Sequence, residues 1–269
     1  MARVSEGATL SAVRADTQVI LTIADDAAEL RSLSDARLLR CPNCGGALLY
    51  KSGPVRLPHF AHFDVNACTY ADHESETETH RLGKFRLFQH FRVGAREAAL
   101  ERYLASTDQR ADCYIVTADN AHYALEFQQA NNSYEHWLER HALYAGQGVR
   151  DHWFLGQVRY MESTTQPPRP ISPYEPLPLP RDAYDAAAGS FRVREMEKAM
   201  LTLSDRLVYL DPQAELLTIL LSRGQTGGLL RAYRFRVPLA EAVLRGGMLW
   251  TPLEPLLVEY EAARRRAVR

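Results

Sequence analysis

Ala111-Asp112-Cys113-Tyr114-Ile115-Val116, Thr117-Ala118-Asp119-Asn120-Ala121 and His122-Tyr123-Ala124-Leu125-Glu126-Phe127-Gln128-Gln129 form the stretch on which the fold turns. Two runs rich in β-branched and aromatic residues flank a polar turn of hairpin length, which predicts an antiparallel strand pair. Strand side chains alternate between faces, so Glu126 and Gln128 share one face, and the hairpin can bring Asp112 to them. A lone carboxylate among Ala124, Leu125 and Phe127 is costly, and Glu126 therefore calls for a metal, a cation or a proton. Two carboxylates sharing a divalent ion would meet that need. Mg²⁺ takes oxygen ligands, keeps waters and bridges to phosphate. Spacing alone equally allows Asp112 and Glu126 to pair with Arg110, Arg140 or Lys84 in an ordinary ion network.

Outward from the hairpin, Leu100–Leu104 supplies a preceding strand and completes an antiparallel meander. Before it, Glu74 to Phe91 has helix formers and an apolar stripe of Leu87, Phe88 and Phe91, interrupted by Gly83. Glu76, His80 and Lys84 fall four residues apart on one side of that helix, a spacing that also suits solvated charge pairing. After the hairpin, Ser133 to Gly146 predicts a second helix, with Ser133 as its cap and Glu135 in its first turn. His152–Leu155 follows as a short closing strand.

Upstream lies a second cluster. Cys41-Pro42-Asn43-Cys44-Gly45-Gly46 is a knuckle whose thiolates can face one ion while the glycines allow the tight turn. Pro58-His59-Phe60-Ala61-His62 and Cys68 supply further donors. Zn²⁺ prefers four tetrahedral sulfur and nitrogen ligands, so Cys41, Cys44 and Cys68 with one histidine make a closed structural site. His62 is preferred to His59 as that ligand. The competing reading is buried thiols and core histidines, against which stand three cysteines and two histidines within 28 residues.

Composition sets the frame. A chain of 269 residues, 46% hydrophobic and 24% charged, can bury a real core and is long enough for more than one module. A net charge of -1 excludes a histone-type electrostatic footprint, so any nucleic-acid surface is local. Without a run of about 18 apolar residues, or a charged-then-apolar start from Met1 to Leu10, the expected location is cytoplasmic, with no membrane contact. The first forty residues carry short apolar runs such as Val19-Ile20-Leu21 beside Asp25-Asp26, which suggest small strands or a hairpin.

Between Ser163 and Pro180 seven prolines crowd a stretch without periodicity, which predicts a linker. Beyond it, a helix at Arg192–Leu203 and strands at Leu207–Leu210, Leu216–Leu221 and Arg231–Val237 suggest a compact α+β extension. The last two strands are expected to be separated by Gly224, Gly227 and Gly228, and Glu254–Arg269 to be a helix with a basic end.

In this order, Cys41-Pro-x-Cys44, Pro58 to His62, Cys68, Glu76/His80/Lys84, Arg110-Ala-Asp112, Leu125-Glu126-Phe127-Gln128, Arg140/Tyr144 and Trp153 resemble the competence protein CoiA-like family. That family couples an N-terminal zinc-finger-like module to a PD-(D/E)XK nuclease core, and the resemblance covers about Cys41 to Gly156. It implies an α+β fold, with the zinc module within residues 1–72 and an αβββαβ restriction-endonuclease-like core at 73–162; the linker at 163–183 and the α+β extension at 184–269 lie outside the resemblance. It further implies Asp112 and Glu126 as ligands of a catalytic Mg²⁺ or Mn²⁺, with Glu76 adding a ligand or water contact. Gln128 stands where the wider superfamily usually has lysine, so it can orient water but brings no charge, and Lys84 or Arg140 is left to supply it. Arg140 and Tyr144, one turn apart, resemble the Gln-x3-Tyr feature that orders the active site of RecB-like nucleases, and His80 joins them as a substrate-orienting candidate.

The expected function is thus a metal-dependent DNA endonuclease, a hydrolase of phosphodiester bonds acting in DNA uptake, recombination or defence against foreign DNA. Its partner would be DNA, branched or single-stranded, with protein partners reaching the C-terminal extension. Two other readings stand beside it: a catalytically inactive DNA-binding module of the same fold, and a zinc-stabilised interaction scaffold.

Overall fold

The computed structural model describes residues 8–64, 68, 77–130, 133–160, 188–255, 257–258 and 262. Glu76, the proline-rich stretch 163–183 and most of the basic C-terminal segment lie outside the described residues.

The N-terminal region is built from very short strands: β1 (Ala8–Thr9), β2 (Ser11–Arg14), β3 (Ile20–Thr22), β4 (Leu39–Arg40), β5 (Leu48–Lys51) and β6 (His59–His62). They make two three-stranded sheets, ordered β3-β2-β4 and β1-β6-β5. Helix α1 (Ala27–Asp35) starts where the Asp26 carboxylate accepts the Glu29 N–H, satisfying a donor that the helix itself cannot.

Then come α2 (Glu78–Phe91), β7 (Glu97–Leu104), β8 (Gln109–Val116), β9 (His122–Gln128), α3 (Tyr134–Gly146) and β10 (Val149–Gly156). The Thr77 hydroxyl caps α2 by accepting the His80 N–H, and the Ser133 hydroxyl caps α3 by accepting that of His136. Strands β7, β8 and β9 form the antiparallel meander. Helix α3 then carries the chain over, and β10 pairs parallel with β9 from Val149↔His122 to Leu155↔Gln128. Alternation along the strands separates two layers. Phe85, Leu87, Phe88 and Phe91 of α2 pack with Ile115, Leu125 and Phe127, whereas Tyr144 of α3 packs with Tyr114, Val116 and Ala124.

Sequence periodicity gave no sign that the extension joins this same sheet. After β11 (Ala188–Phe191) and α4 (Glu195–Leu203), strand β12 (Arg206–Asp211) pairs parallel with β10 through Phe154↔Val208. With β13 (Leu216–Thr226) and β14 (Leu229–Pro238) it yields one eight-stranded sheet, ordered β11-β14-β13-β12-β10-β9-β8-β7. A small hairpin of β15 (Val243–Arg245) and β16 (Met248–Trp250) follows. Arg159, just past β10, donates its Nε–H to Glu197 of α4 at 2.9 Å in a buried pair that ties the extension to the core. Of the three glycines expected to separate β13 from β14, Gly227 and Gly228 make the turn, both at positive φ, while Gly224 sits inside β13 at a register shift. The strands therefore run longer than expected.

Gly83 has a packing reason. A Cβ there would lie 2.2 Å from the Phe127 ring, so the missing side chain lets α2 settle onto β9 beside Glu126. Gly83→Ala would gain about 1 kcal/mol of helix propensity but cost about 3 kcal/mol in overpacking. The expected result in a thermal melt is a Tm lower by about 5 °C; an unchanged or raised Tm would show that α2 does not pack this closely.

Candidate functional site

The knuckle lies between β4 and β5, closed by Cys41 N–H to Gly46 O at 2.8 Å and Gly45 N–H to Cys41 O at 2.9 Å. Gly45 has φ +69°, which the turn requires and glycine adopts freely, and a Cβ on Gly46 would stand 3.2 Å from Cys44 Sγ and crowd that thiol. Donor atoms of Cys41, Cys44, His62 and Cys68 all lie within 4.8 Å of one another. Cys44 Sγ is 3.4 Å from His62 Nε2. Burial holds the Cys41 thiol up at about 11. Burial also opposes ionisation of Cys44, but the Gly46 N–H and His62 outweigh it and bring that thiol down to about 7. Three sulfurs and one nitrogen at this spacing can bind a zinc ion. His59 lies outside the set: its Nδ1 is 3.0 Å from the Leu57 carbonyl, and alternation along β6 sends it to the face opposite His62.

The second cluster sits where two strands part. The β8–β9 ladder runs from Val116↔His122 to Cys113↔Leu125 and stops, although β8 reaches back to Gln109 and β9 on to Gln128. At the opening, Asp112 Oδ2 accepts the Phe127 N–H at 2.9 Å, so a side chain takes the place of a ladder bond. His80 Nε2 is 3.6 Å from Asp112 Oδ2 and Lys84 Nζ is 4.0 Å from Oδ1, both reaching it from α2. Burial pushes the Asp112 carboxyl up, but His80, Lys84 and the Phe127 N–H together hold it below its usual range.

Glu126 is met from the other layer. Its Oε1 accepts Arg140 Nη2 at 2.7 Å and the Tyr144 hydroxyl, while neither of these bonds falls on Oε2. Burial and the neighbouring Asp112 charge raise the Glu126 carboxyl to about 7 against the pull of Arg140. Burial likewise keeps Tyr144 protonated, so its hydroxyl donates. Arg140 also lies over the Trp153 ring at 5.7 Å, and Trp153 is the β10 partner of Glu126. Gln128 turns its amide to the Ala130 carbonyl at 2.9 Å. The expected ion pairs of Lys84 and Arg140 are present around these carboxylates, whereas Arg110 goes elsewhere.

It goes to Glu101, which sequence reasoning missed. Glu101 Oε2 accepts Arg110 Nη2 and its Oε1 accepts Lys84 Nζ, both at 2.8 Å, and the side chain is buried. Burial pushes this carboxyl up, but Arg110 and Lys84 hold it far below the ordinary range. Its φ of +55° removes the Glu101–Asp112 level from the β7–β8 ladder, which pairs Leu100↔Cys113 and then Arg102↔Ala111. In sequence Glu101 sits between Leu100 and Arg102 in a strand that also carries Glu97, Arg102 and Tyr103, and nothing there signals burial of this one carboxylate.

Comparison with known proteins matches residues 76–169 to the family model "Competence protein CoiA, nuclease-like domain". Residues 24–71 match "Competence protein CoiA, N-terminal domain", and the two together take in more than half of the chain. Competence protein CoiA of Bacillus subtilis (strain 168) is 31% identical over 119 residues. That alignment covers 44% of this chain and 31% of the length of the Bacillus protein. No solved structure matches the chain.

The geometry of the Cys/His cluster makes a clean distinction between the two histidines. His62→Ala is expected to strip tightly held metal from the purified protein, measured by elemental analysis, while His59→Ala retains it at the wild-type ratio. Equal loss in both variants would contradict the ligand set.

Proposed function

Because the chain belongs to the competence protein CoiA family, we propose that it is a Mg²⁺- or Mn²⁺-dependent DNA endonuclease of the PD-(D/E)XK type, stabilised by a structural zinc. The observation that carries this reading is the pair of carboxylates at the parting of β8 and β9. Asp112 is held ionised, and Glu126 has one oxygen outside its pairing with Arg140 and Tyr144. The order α-β-β-β-α-β, with three antiparallel strands and a fourth parallel to the third, supports the same assignment.

Asp112 and Glu126 would hold the divalent ion, which when bound supplies an activated water and offsets charge growing on the scissile phosphate. Lys84 is 1% exposed and stands behind Asp112, so we assign it to fixing that carboxylate rather than to touching DNA. Arg140 is more open to solvent and can move from Glu126 toward a phosphate once an ion takes over the carboxylate charge. Gln128 can orient the attacking water by leaving the Ala130 carbonyl. DNA is the substrate class, and the extension, hydrogen-bonded into the same sheet, is where protein partners would act. Absence of cleavage is the rival outcome, favoured by the part-buried Arg140–Glu126 pair, which needs no ion to satisfy it.

The test is incubation of wild type and an Asp112→Ala/Glu126→Ala variant, matched in zinc content, with linear, nicked, branched and single-stranded DNA in Mg²⁺, Mn²⁺ or EDTA. Cleavage by wild type alone, stopped by EDTA while zinc stays bound, is expected. DNA binding without cleavage by either protein would leave the binding-module reading, and no binding at all the scaffold.

A pH dependence follows. A Glu126 carboxyl raised to about 7 is protonated below that value and must lose its proton to bind an ion. At subsaturating Mg²⁺, the cleavage rate should rise about tenfold per pH unit below neutrality and level off above it. A profile flat from pH 5 to pH 8, values chosen to bracket the titration by roughly a unit or more, would contradict the ligand role of Glu126.

A further inference from the structure

Thr9 ends β1, Leu10 links it to Ser11 at the start of β2, and both strands pair with strands that adjoin the Cys/His cluster. β1 pairs with β6, which ends at His62, and β2 pairs with β4, which is followed by Cys41. Glu101 grips this link from the central sheet. Its Oε2 accepts the Thr9 hydroxyl, the Leu10 N–H at 3.0 Å and the Ser11 hydroxyl at 3.4 Å, together with Arg110. Its Oε1 takes Lys84 Nζ, the same ammonium that stands 4.0 Å from Asp112 Oδ1. Thr9, Ser11, Lys84 and Glu101 are all buried. The left-handed backbone at Glu101 is one that few side chains adopt, and it persists here because the carboxylate is held from both sides.

We propose that Glu101 is a positioning residue that couples the N-terminal Cys/His module to the Asp112 site: the seated link fixes one carboxylate oxygen, and the other fixes Lys84 against Asp112. If the link leaves, Oε2 loses two hydroxyls and an N–H and keeps only Arg110 as a partner, in a buried position where lost donors are costly. The carboxylate must then draw Lys84 and Arg110 closer, which moves Lys84 relative to Asp112, or admit water, which opens the buried ammonium to solvent. Metal binding by the cluster thereby supports the geometry of a site on a different sheet. The consequence for cleavage rests on the nuclease reading above; the coupling itself does not.

Lysine labelling tests the coupling without any DNA. The chain has three lysines, Lys51, Lys84 and Lys198. Lys51 lies in β5 of the module, so Lys198 of α4 serves as the reference. The full-length protein is exposed to an amine-reactive reagent, and the rate at each lysine is read by mass spectrometry. Wild-type Lys84 is expected to react slowly, and about tenfold faster after chelation of the metal or in Glu101→Gln, with Lys198 unchanged. Thr9→Val should accelerate Lys84 several-fold while Thr9→Ser, which keeps the hydroxyl, should not. Slow reaction of Lys84 after chelation and in Thr9→Val, or a rise shared equally by Lys198, would overturn the proposal. Should wild type cut no DNA, the nuclease reading falls and the labelling still decides the coupling. Should it cut, Glu101→Gln and Thr9→Val are expected to lose activity in parallel with the exposure of Lys84.

Discussion

A carboxylate withdrawn from water must be met by cations or donors at close range, because breaking such a pair leaves an uncompensated charge that costs roughly 3–5 kcal/mol. The central sheet carries three such groups, Glu101, Asp112 and Glu126, and their demands organise the elements around them. Lys84 and His80 of α2 answer Glu101 and Asp112 from one layer. Arg140 and Tyr144 of α3 answer Glu126 from the other. Both helices are thus pinned to the sheet by polar contacts as well as by their apolar stripes, and the pinning points converge where β8 and β9 part.

That opening is kept open by the same chemistry. Once Asp112 accepts the Phe127 N–H, the backbone of β9 no longer needs β8 as its partner there, and the two strands part without an orphaned donor. The strands of the extension continue the sheet beyond β10 by pairing with its far edge, so the opening belongs to one large framework. The N-terminal sheets are fastened to the same framework at Glu101. Cys/His cluster, sheet and acidic pair therefore share a single chain of contacts.

Much of this was legible in the sequence because the relevant signals are local. The Ser133 cap, the alternation of Tyr123, Leu125 and Phe127, and the glycines behind Cys44 each act over a few residues. His62 could be preferred over His59 only weakly, since the choice depends on which face of β6 meets the knuckle. Glu101 was invisible because its importance comes from a left-handed backbone and from Thr9, some 92 residues away. The joining of β12 to β10 was equally hidden, since parallel pairing across a long connection leaves no periodic trace. Gly83 stood out as an irregularity, and only the Phe127 ring explained it.

Whether Asp112 and Glu126 share a divalent ion is measured most directly by titrating the zinc-loaded protein with Mn²⁺ and following free Mn²⁺ by electron paramagnetic resonance. One Mn²⁺ should bind per chain above neutral pH, and binding should be lost in Asp112→Asn and in Glu126→Gln while zinc content holds. Mn²⁺ uptake that survives both substitutions, or none by wild type even with DNA present, would contradict the assignment of these two carboxylates as a metal site.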